Sequence, residues 1–337
     1  MAEDQTPEGR RLVITGGTGF IGSRLALTGI DRGMTVRVLG QTNTEAESGN
    51  RERLEAAGVT VHLGSVTDRE TVRALVAETD IVVHLAAAQH EMSISDQRFG
   101  EVNVAGTRVV LEECAAAGVG RVVHGSTIGV YGITTGVVDE STPCNPHNIY
   151  GKTKLEGERL AAAATDVPVV VVRIPEIYGP GDRRLLKLFR ALRKGRFFLI
   201  GPGRNLHDVL YVDDLVDGLL VAAGCDAAIG KVLQFGGPAP LTTDEMIAAV
   251  ARAVGVDPPR LRVPLWPLLT IGTLMEFTLR PMGIQPPLHR RRLDFFRNSF
   301  ELSSTRAREL IGFNPRVTFA DGARATAEWY RAEGLLQ

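Results

Sequence analysis

The chain has 337 residues, of which 44% are hydrophobic and 23% charged, and its formal net charge at pH 7 is −1. This composition is typical of a globular protein with ample apolar material for a core. The near-zero charge provides no basic field, so no nucleic-acid partner is expected. Three scattered cysteines match no metal-ligand spacing, so no metal site is predicted, and their sparse use favours a cytoplasmic location. The polar N-terminus has none of the features of a signal peptide.

Apolar, β-branched runs alternate with helical patterns through the first half of the chain. The predicted strands are Arg11–Thr15, Thr35–Leu39, Val59–Leu63, Ile81–Leu85, Arg121–His124 and Val167–Arg173. The predicted helices are Phe20–Arg32, Asp68–Glu78, Phe99–Ala117 and Tyr150–Ala164. This alternation predicts an α/β fold with a doubly wound parallel sheet of the Rossmann type. Ligands of such sheets bind at the carboxyl ends of the strands.

The pattern changes after Arg173, where prolines and glycines interrupt the chain. A helix is predicted at Arg184–Arg193, and Val209–Val212 with Asp213–Ala223 is expected to return to the sheet. We therefore assign residues 9–174 and 205–236 to the Rossmann domain. Residues 175–204 and 237–335 are assigned to a smaller, mostly helical substrate-binding lobe.

A glycine-rich segment, Gly16-Gly17-Thr18-Gly19-Phe20-Ile21-Gly22, joins the first predicted strand to the first helix. Glycines at this turn allow the backbone to approach a pyrophosphate closely, and Gly22 lets the helix pack against the strand. The free N–H groups of the helix N-terminus favour a phosphate. The segment predicts a dinucleotide site whose contacts include Gly16, Gly19, Phe20, Ile21 and Gly22.

An acid–base pair is predicted on one helix face, because Tyr150 and Lys154 are four residues apart. A free tyrosine has a pKa of about 10, and a nearby ammonium group lowers that pKa by favouring the phenolate. Ser126 and Thr127 provide candidate hydroxyl partners. Together with a dinucleotide site, these residues indicate hydride transfer between a nicotinamide and a carbonyl or secondary alcohol.

The ordered motifs resemble those of the extended short-chain dehydrogenases/reductases, also called the NAD-dependent epimerase/dehydratase superfamily. The resemblance covers nearly the whole chain. It rests on Thr15–Gly22, Asp80–Ala87, Asn103–Thr107, Ser126-Thr127 before Val130-Tyr131-Gly132, Tyr150…Lys154, Arg173…Tyr178-Gly179-Pro180-Gly181 and Tyr211-Val212-Asp213-Asp214. Gly203-Arg204-Asn205-Leu206 and the apolar stretch near Trp266 are similar to the 3β-hydroxysteroid dehydrogenase-like branch.

The resemblance implies a role for each matched residue. Tyr150 would be the proton donor and acceptor, and Lys154 would lower the tyrosine pKa and hold the nicotinamide ribose. Thr127 would donate a hydrogen bond to the reacting oxygen. The remaining implied cofactor contacts are Gln41, Ser65, Val66, Leu85, Ala86, Ala87 and Asn103. The implied substrate contacts are Ser126, Glu176 and His207.

Four departures from the family pattern bear on cofactor and substrate. Gly40, followed by Gln41, stands where an acidic residue normally selects NAD, so NAD and NADP both stay open, with a slight preference for NAD. Ser65 replaces a common aspartate that contacts adenine. Glu176 and His207 replace the asparagine and arginine of nucleotide-sugar members, which favours another bulky alcohol or ketone.

Three functions are compatible with these motifs. The leading hypothesis is an NAD(P)-dependent oxidoreductase that interconverts a secondary alcohol and a ketone on a bulky small-molecule substrate. The alternative is an NAD-dependent sugar or nucleotide-sugar epimerase, and the third is an idle NAD(P)-binding scaffold. A sugar dehydratase is disfavoured because Ile128-Gly129 follows Thr127 in place of an acidic pair. A homodimer is expected through Phe99–Ala117 and Tyr150–Ala164.

The stretch Val263–Met275 contains no charged residue, but 13 residues are too few to span a bilayer, and Pro264 and Pro267 interrupt it. A basic cluster, His289–Arg292, follows. Two interpretations stay open: a substrate-lobe helix with a solvated basic turn, or a weak membrane-surface contact through residues 261–300.

Overall fold

The computed structural model describes residues 9–89, 95–279, 295–296 and 298–336. Its strands, in chain order, are β1 Arg11–Thr15, β2 Thr35–Gly40, β3 Thr60–Leu63, β4 Ile81–His84, β5 Arg121–Thr127, β6 Val137–Val138, β7 Val169–Ile174, β8 Glu176–Tyr178, β9 Leu199–Ile200, β10 Leu206–His207, β11 Val209–Tyr211, β12 Val232–Gln234, β13 Leu241–Thr242, β14 Arg262–Val263 and β15 Glu301–Leu302.

The α-helices described are α1 Phe20–Asp31, α2 Glu45–Ala56, α3 Arg69–Val76, α4 Asp96–Gly100, α5 Thr107–Ala116, α6 Ile149–Ala163, α7 Leu186–Arg193, α8 Val212–Gly224, α9 Thr243–Ala253, α10 Leu265–Leu279, α11 Thr305–Ile311 and α12 Phe319–Ala332. A π-helix spans Glu101–Gly106, and short 3₁₀ turns occupy Ile128–Val130 and Asp226–Ala228.

Seven parallel strands form the central sheet in the order β12-β7-β5-β4-β1-β2-β3. Parallel pairing requires crossover connections, and helices supply most of them. The predicted doubly wound α/β fold is therefore confirmed. The order reverses next to β1, since β2 and β4 lie on its two sides, and this reversal opens a crevice at the carboxyl end of β1.

Both faces of the sheet are buried, and successive residues of a strand enter different cores. Leu12 and Ile14 join the core beneath α1 and α8, whereas Val13 joins the opposite core with Val72 and Val110. This period of two follows from the pleat of a β-strand. It explains why the sheet strands are continuous apolar runs.

Two predicted elements differ from the structure, and one helix was not predicted. Val209–Tyr211 is a strand, but it pairs with Glu176–Tyr178 in a separate two-stranded sheet, and β12 is the strand that rejoins the central sheet. The predicted helix Phe99–Ala117 is interrupted by the π-helix at 101–106. Helix α2 was missed because it has little apolar periodicity, although its Thr44–Glu47 capping box is a readable start signal.

A third apolar cluster lies in the C-terminal half and joins α7, α9 and α12. Phe189, Met246, Ile247 and Tyr330 are buried in it. The assignment of this half to a substrate-binding lobe, with the boundaries given above, stays a prediction. Within the described ranges, no helix is both long and apolar enough to cross a bilayer.

Candidate active site

The glycine segment forms a close-packed cradle between β1 and α1. Gly16 has a φ of +74°, and a Cβ there would lie 2.9 Å from the Ala86 backbone nitrogen. A Cβ on Gly22 would lie 2.2 Å from the Gly16 carbonyl oxygen. These contacts leave space for the backbone alone, as close approach to a pyrophosphate requires.

The N-terminus of α1 is open to a ligand. Gly19 is its N-cap residue, no side chain among the described residues caps it, and its first turn carries no acidic residue. Phe20 and Ile21 begin the helix and are half-buried. A twelve-residue helix with free N–H groups and a positive dipole end is suited to a phosphate anion. The cradle therefore fits the diphosphate of a dinucleotide.

The segment after β4 forms one wall of the cradle, and Asn103 holds it in place. The Asn103 side-chain oxygen accepts a hydrogen bond from Ala88 N at 2.8 Å, and its nitrogen donates to Ala88 O at 3.2 Å. Thr15 Oγ1 accepts a bond from Ala86 N at 3.2 Å. Asn103 was predicted as a cofactor contact; its bonds in the structure position the backbone beside Ala86 and Ala87.

The end of β2 explains why the usual acidic residue is absent. A Cβ on Gly40 would lie 2.3 Å from the Thr18 hydroxyl, which accepts a hydrogen bond from Gln41 N at 3.0 Å. Thr18 therefore occupies the space that a side chain at position 40 would need. Gln41 is exposed, and its side-chain oxygen accepts a bond from Asn43 at 2.9 Å.

Ser65 and Val66 lie at the end of β3, on the same side. The Ser65 hydroxyl is 2.8 Å from Thr67 Oγ1 and accepts a bond from Thr67 N. Val66 is buried and would contact any side chain placed on Gly106. Ser65 is half-buried and Leu85 packs against the core at its edge.

The three predicted catalytic residues come from two neighbouring elements. Thr127 is the last residue of β5, and Tyr150 and Lys154 lie on α6, which Asn148 caps by accepting a bond from Gly151 N at 2.8 Å. The Thr127 and Tyr150 side chains are hydrogen-bonded. Thr127 Oγ1 also accepts from Gly129 N at 3.1 Å. The structure thus brings the three residues to the carboxyl edge of the sheet.

The pKa of Tyr150 reflects opposing effects. Partial burial raises the pKa above its ordinary value, while the hydrogen bond from Thr127 and the positive charge of Arg184 lower it. Lys154, which the resemblance assigns to this task, donates instead to the Gly125 carbonyl at 2.6 Å. Burial lowers the pKa of Lys154 to about 8, and the carboxylate of Glu158 partly opposes that shift.

A buried ionic network lies beneath these residues. Glu158 and Arg173 form an ion pair of 2.6 Å with both side chains almost fully buried. Ser126, predicted as a substrate contact, donates its hydroxyl hydrogen to Glu158 at 2.5 Å. Arg173 also donates to the Tyr131 hydroxyl at 2.8 Å. The hydrogen bond of Ser126 therefore joins it to the support beneath the site.

Two predicted substrate residues lie outside the central sheet, on β8 and β10, and their environments differ. Glu176 is solvent-exposed although protein atoms crowd around it. This crowding raises its pKa, and the charge of Arg184 opposes the rise. His207 is buried, bonded to Thr243 at 2.8 Å and stacked on Phe295. Burial lowers the pKa of His207 to about 4, so its imidazole is neutral.

Arg184 is a site residue whose role the sequence motifs did not assign. Its guanidinium donates to Asp182 at 2.9 Å and to the Ile177 carbonyl, and lies 5.9 Å from the centre of the Phe20 ring. Its charge acts on both Tyr150 and Glu176. Of the arginines that could oppose Glu176, Arg183 pairs with Glu45 at the surface instead. The only sequence signal was an arginine pair after Gly181.

Comparison with known proteins defines the class. The NAD dependent epimerase/dehydratase family matches residues 12–234, so the chain belongs to this family. The chain is 33% identical to a dTDP-glucose 4,6-dehydratase of Streptomyces niveus over 95% of its own length and 93% of that protein. It is 28% identical to 3beta-hydroxysteroid-dehydrogenase/decarboxylase isoform 2 of Arabidopsis thaliana over 97% of its length and 63% of the relative.

A solved structure supports the same assignment. DesIV, a dTDP-glucose 4,6-dehydratase of Streptomyces venezuelae with NAD and TYD bound, superposes with a TM-score of 0.76 at 27% identity, covering 97% of this chain and 99% of that one. The protein is an enzyme of the extended short-chain dehydrogenase/reductase type. Because the family is NAD-dependent, the predicted nicotinamide cofactor is confirmed at that level.

Proposed function

We propose that the protein is an NAD-dependent oxidoreductase that interconverts a secondary alcohol and a ketone on a bulky substrate. The observation that carries this proposal is an intact Thr127–Tyr150–Lys154 set together with a neutral, buried His207 at the position where nucleotide-sugar members carry an arginine. A nucleoside diphosphate needs a cation there, and a neutral imidazole already bonded to Thr243 does not supply one. NAD is preferred over NADP because no cationic side chain follows Gly40.

The side chains can carry out the proton transfer and charge stabilisation of such a reaction. When bound, the nicotinamide would take up or return the hydride of the substrate carbon. Tyr150 would take or give the proton on the substrate oxygen. Thr127 accepts from Gly129 N, and the hydrogen that it donates to Tyr150 in this structure would be donated to the substrate oxygen as negative charge develops there. The buried Lys154, anchored on Gly125, would hold the cofactor ribose.

The test is a screen of bulky secondary alcohols, hydroxysteroids included, with NAD and detection of NADH by absorbance. We expect at least one substrate, and Tyr150→Phe should lower its kcat by about 10²–10⁴, the usual contribution of an acid–base group. NAD binding, measured by calorimetry, should stay close to that of the parent protein. Full turnover by Tyr150→Phe would refute the mechanism.

The second candidate is a sugar or nucleotide-sugar epimerase. The dTDP-glucose relatives and the family itself favour it, and Arg184 is a cation within reach of the cleft. An epimerase would use the same three residues but retain its NAD. Denaturing freshly purified protein and identifying released nucleotide by mass separates the two. Near-stoichiometric NAD would favour the epimerase, and an empty protein the dehydrogenase.

A further inference from the structure

Helix α10 exposes an unusually apolar face. Trp266, Ile271, Leu274 and Phe277 are 70%, 49%, 62% and 81% exposed, and Gly272 is the one buried residue among those described in the helix. At 100° per residue, the four bulky side chains fall within one arc of about 140°. Monomeric soluble proteins seldom leave such a contiguous patch in water.

The threonines on the same face have no free hydroxyl hydrogens. Thr270 donates to the Trp266 carbonyl at 3.0 Å, Thr273 to the Leu269 carbonyl at 2.8 Å, and Thr278 to the Leu274 carbonyl at 2.9 Å. Bonding to the backbone within the helix satisfies these hydroxyls without water. The hydroxyl hydrogens on this face therefore do not require water as a hydrogen-bond partner. The one acidic residue of the helix, Glu276, lies on a different side and is half-buried.

The helix is fixed to the protein at its beginning. Strand β14, which ends two residues before α10, pairs in parallel with β9 through Leu199 N to Leu261 O at 2.8 Å and Gly201 N to Val263 O at 3.0 Å. Leu265 packs near Gly201. The exposed face is thus presented by an anchored helix.

The charge of the segment that contains α10 indicates which kind of partner would cover this face. The whole chain is close to neutral, but residues 260–297 contain seven arginines and only two acidic residues, Glu276 and Asp294. Arg262 is paired with Asp244. The basic cluster at 290–292 lies outside the described residues, so its contribution here is charge alone. An apolar face within a basic segment complements an anionic lipid surface, which offers both hydrocarbon and negative headgroups.

We propose that α10 docks the protein on an anionic membrane surface, lying in the interface with Trp266, Leu274 and Phe277 inserted. This docking is independent of the proposed activity. The helix has 15 residues and would lie on the surface without spanning it. A second copy of the chain is the competing occupant, and the experiment separates the two.

The experiment measures sedimentation of the full chain with vesicles of phosphatidylcholine, with or without phosphatidylglycerol. We expect binding that requires phosphatidylglycerol and weakens with salt. The double variant Leu274→Ser/Phe277→Ser should bind about 100-fold more weakly, at roughly tenfold for each lost apolar side chain. Ile133→Ser, which removes a 70% exposed apolar side chain elsewhere, is the matched control and should bind like the parent.

A spectroscopic readout keeps the test valid if a variant folds poorly. The chain has two tryptophans, so Trp329→Phe leaves Trp266 as the only one. Its emission should shift to shorter wavelength when phosphatidylglycerol vesicles are added. No binding at low salt, equal binding by the double variant, or equal binding to uncharged vesicles would overturn the proposal. A concentration-dependent dimer that the double variant abolishes would assign the face to a second copy.

Discussion

His84 and His124 lie side by side beneath the active site, with ring centres 5.3 Å apart, but their nitrogens are satisfied very differently. Both nitrogens of His84 are bonded, to Thr15 at 2.7 Å and to Thr107 at 3.0 Å. Both nitrogens of His124 are buried with no partner among the described residues. The two bonds make His84 a hydrogen-bonded core histidine.

Burial and the nearby Lys154 ammonium disfavour the charged form of both imidazoles. The pKa of His84 falls to about 3, and that of His124 falls well below its usual value. Since an unfolded histidine titrates near 6.5, the unfolded chain binds more protons below that pH. These residues therefore leave stability unchanged by titration above pH 6.5 and reduce it progressively as the pH falls below that value.

The substitution His124→Leu should stabilise the protein. It removes two unpaired buried polar atoms, each costing about 1–3 kcal/mol, and one group that must stay neutral. We expect a higher Tm at pH 7 and a smaller loss of stability between pH 6.5 and pH 4, measured by calorimetry. His147→Leu, at an exposed position, is the control and should change neither quantity. A lower Tm for His124→Leu would mean that the imidazole makes a needed hydrogen bond.

At the scale of elements, the active-site edge depends on the contact between α6 and the π-helix at 101–106. A Cβ on Gly157 of α6 would lie 2.5 Å from the Asn103 carbonyl oxygen, and Asn103 bonds Thr153 of the same helix at 3.0 Å. At 100° per residue, Tyr150, Thr153, Lys154 and Gly157 fall within one arc of about 100°, so the face of α6 that carries Tyr150 and Lys154 also packs against Asn103. The wall of the cradle and the acid–base pair are therefore positioned by a single helix contact.

The substitution Gly157→Ala tests this contact. In an open helix, glycine to alanine stabilises by roughly 0.5–1 kcal/mol. At position 157 the added methyl group meets backbone, so we expect a net loss of about 1–3 kcal/mol, measured by denaturant unfolding. Gly49→Ala in α2, where a Cβ meets nothing within 4 Å, is the matched control and should stabilise. Equal effects of the two variants would show that the interhelix contact is not tight.

At the scale of the whole molecule, binding of the cofactor should stabilise the fold, because the cradle joins β1, α1 and the segment after β4. A ligand present at 100 times its Kd adds about 2.7 kcal/mol to the free energy of unfolding. We expect NAD to raise Tm, and NADP to raise it less at equal concentration. Gly22→Ala places a methyl group 2.2 Å from the Gly16 carbonyl and should abolish the shift. A larger shift with NADP would reverse the proposed cofactor preference.

The homodimer through the segments at 99–117 and 150–164 stays a prediction, as does the cytoplasmic location. Three of the exposed residues of α6, Lys152, Glu156 and Arg159, are charged, and the others are Ala162 and Ala163 at its end. Any pairing through this helix would therefore need complementary charges from its partner. Mass measurement in solution would establish the oligomeric state.

The sequence by itself determined the class of fold, and it predicted the catalytic set from local spacing. Strands buried on both faces appear as continuous apolar runs, and a glycine turn between strand and helix has few alternatives. The four-residue spacing of Tyr150 and Lys154 placed them on one helix, as found. These are local properties, in which each signal lies within a few residues of the feature it predicts.

Only the tertiary structure decided the surroundings of those residues. Contacts between residues 30 or more positions apart bond Ser126 to Glu158 and bring the charge of Arg184 close to Tyr150. Burial by several elements keeps His207 neutral. The pairing of Val209–Tyr211 with β8 instead of the central sheet is of the same kind. Burial and long-range partners set pKa values and sheet membership, and no short sequence pattern carries that information.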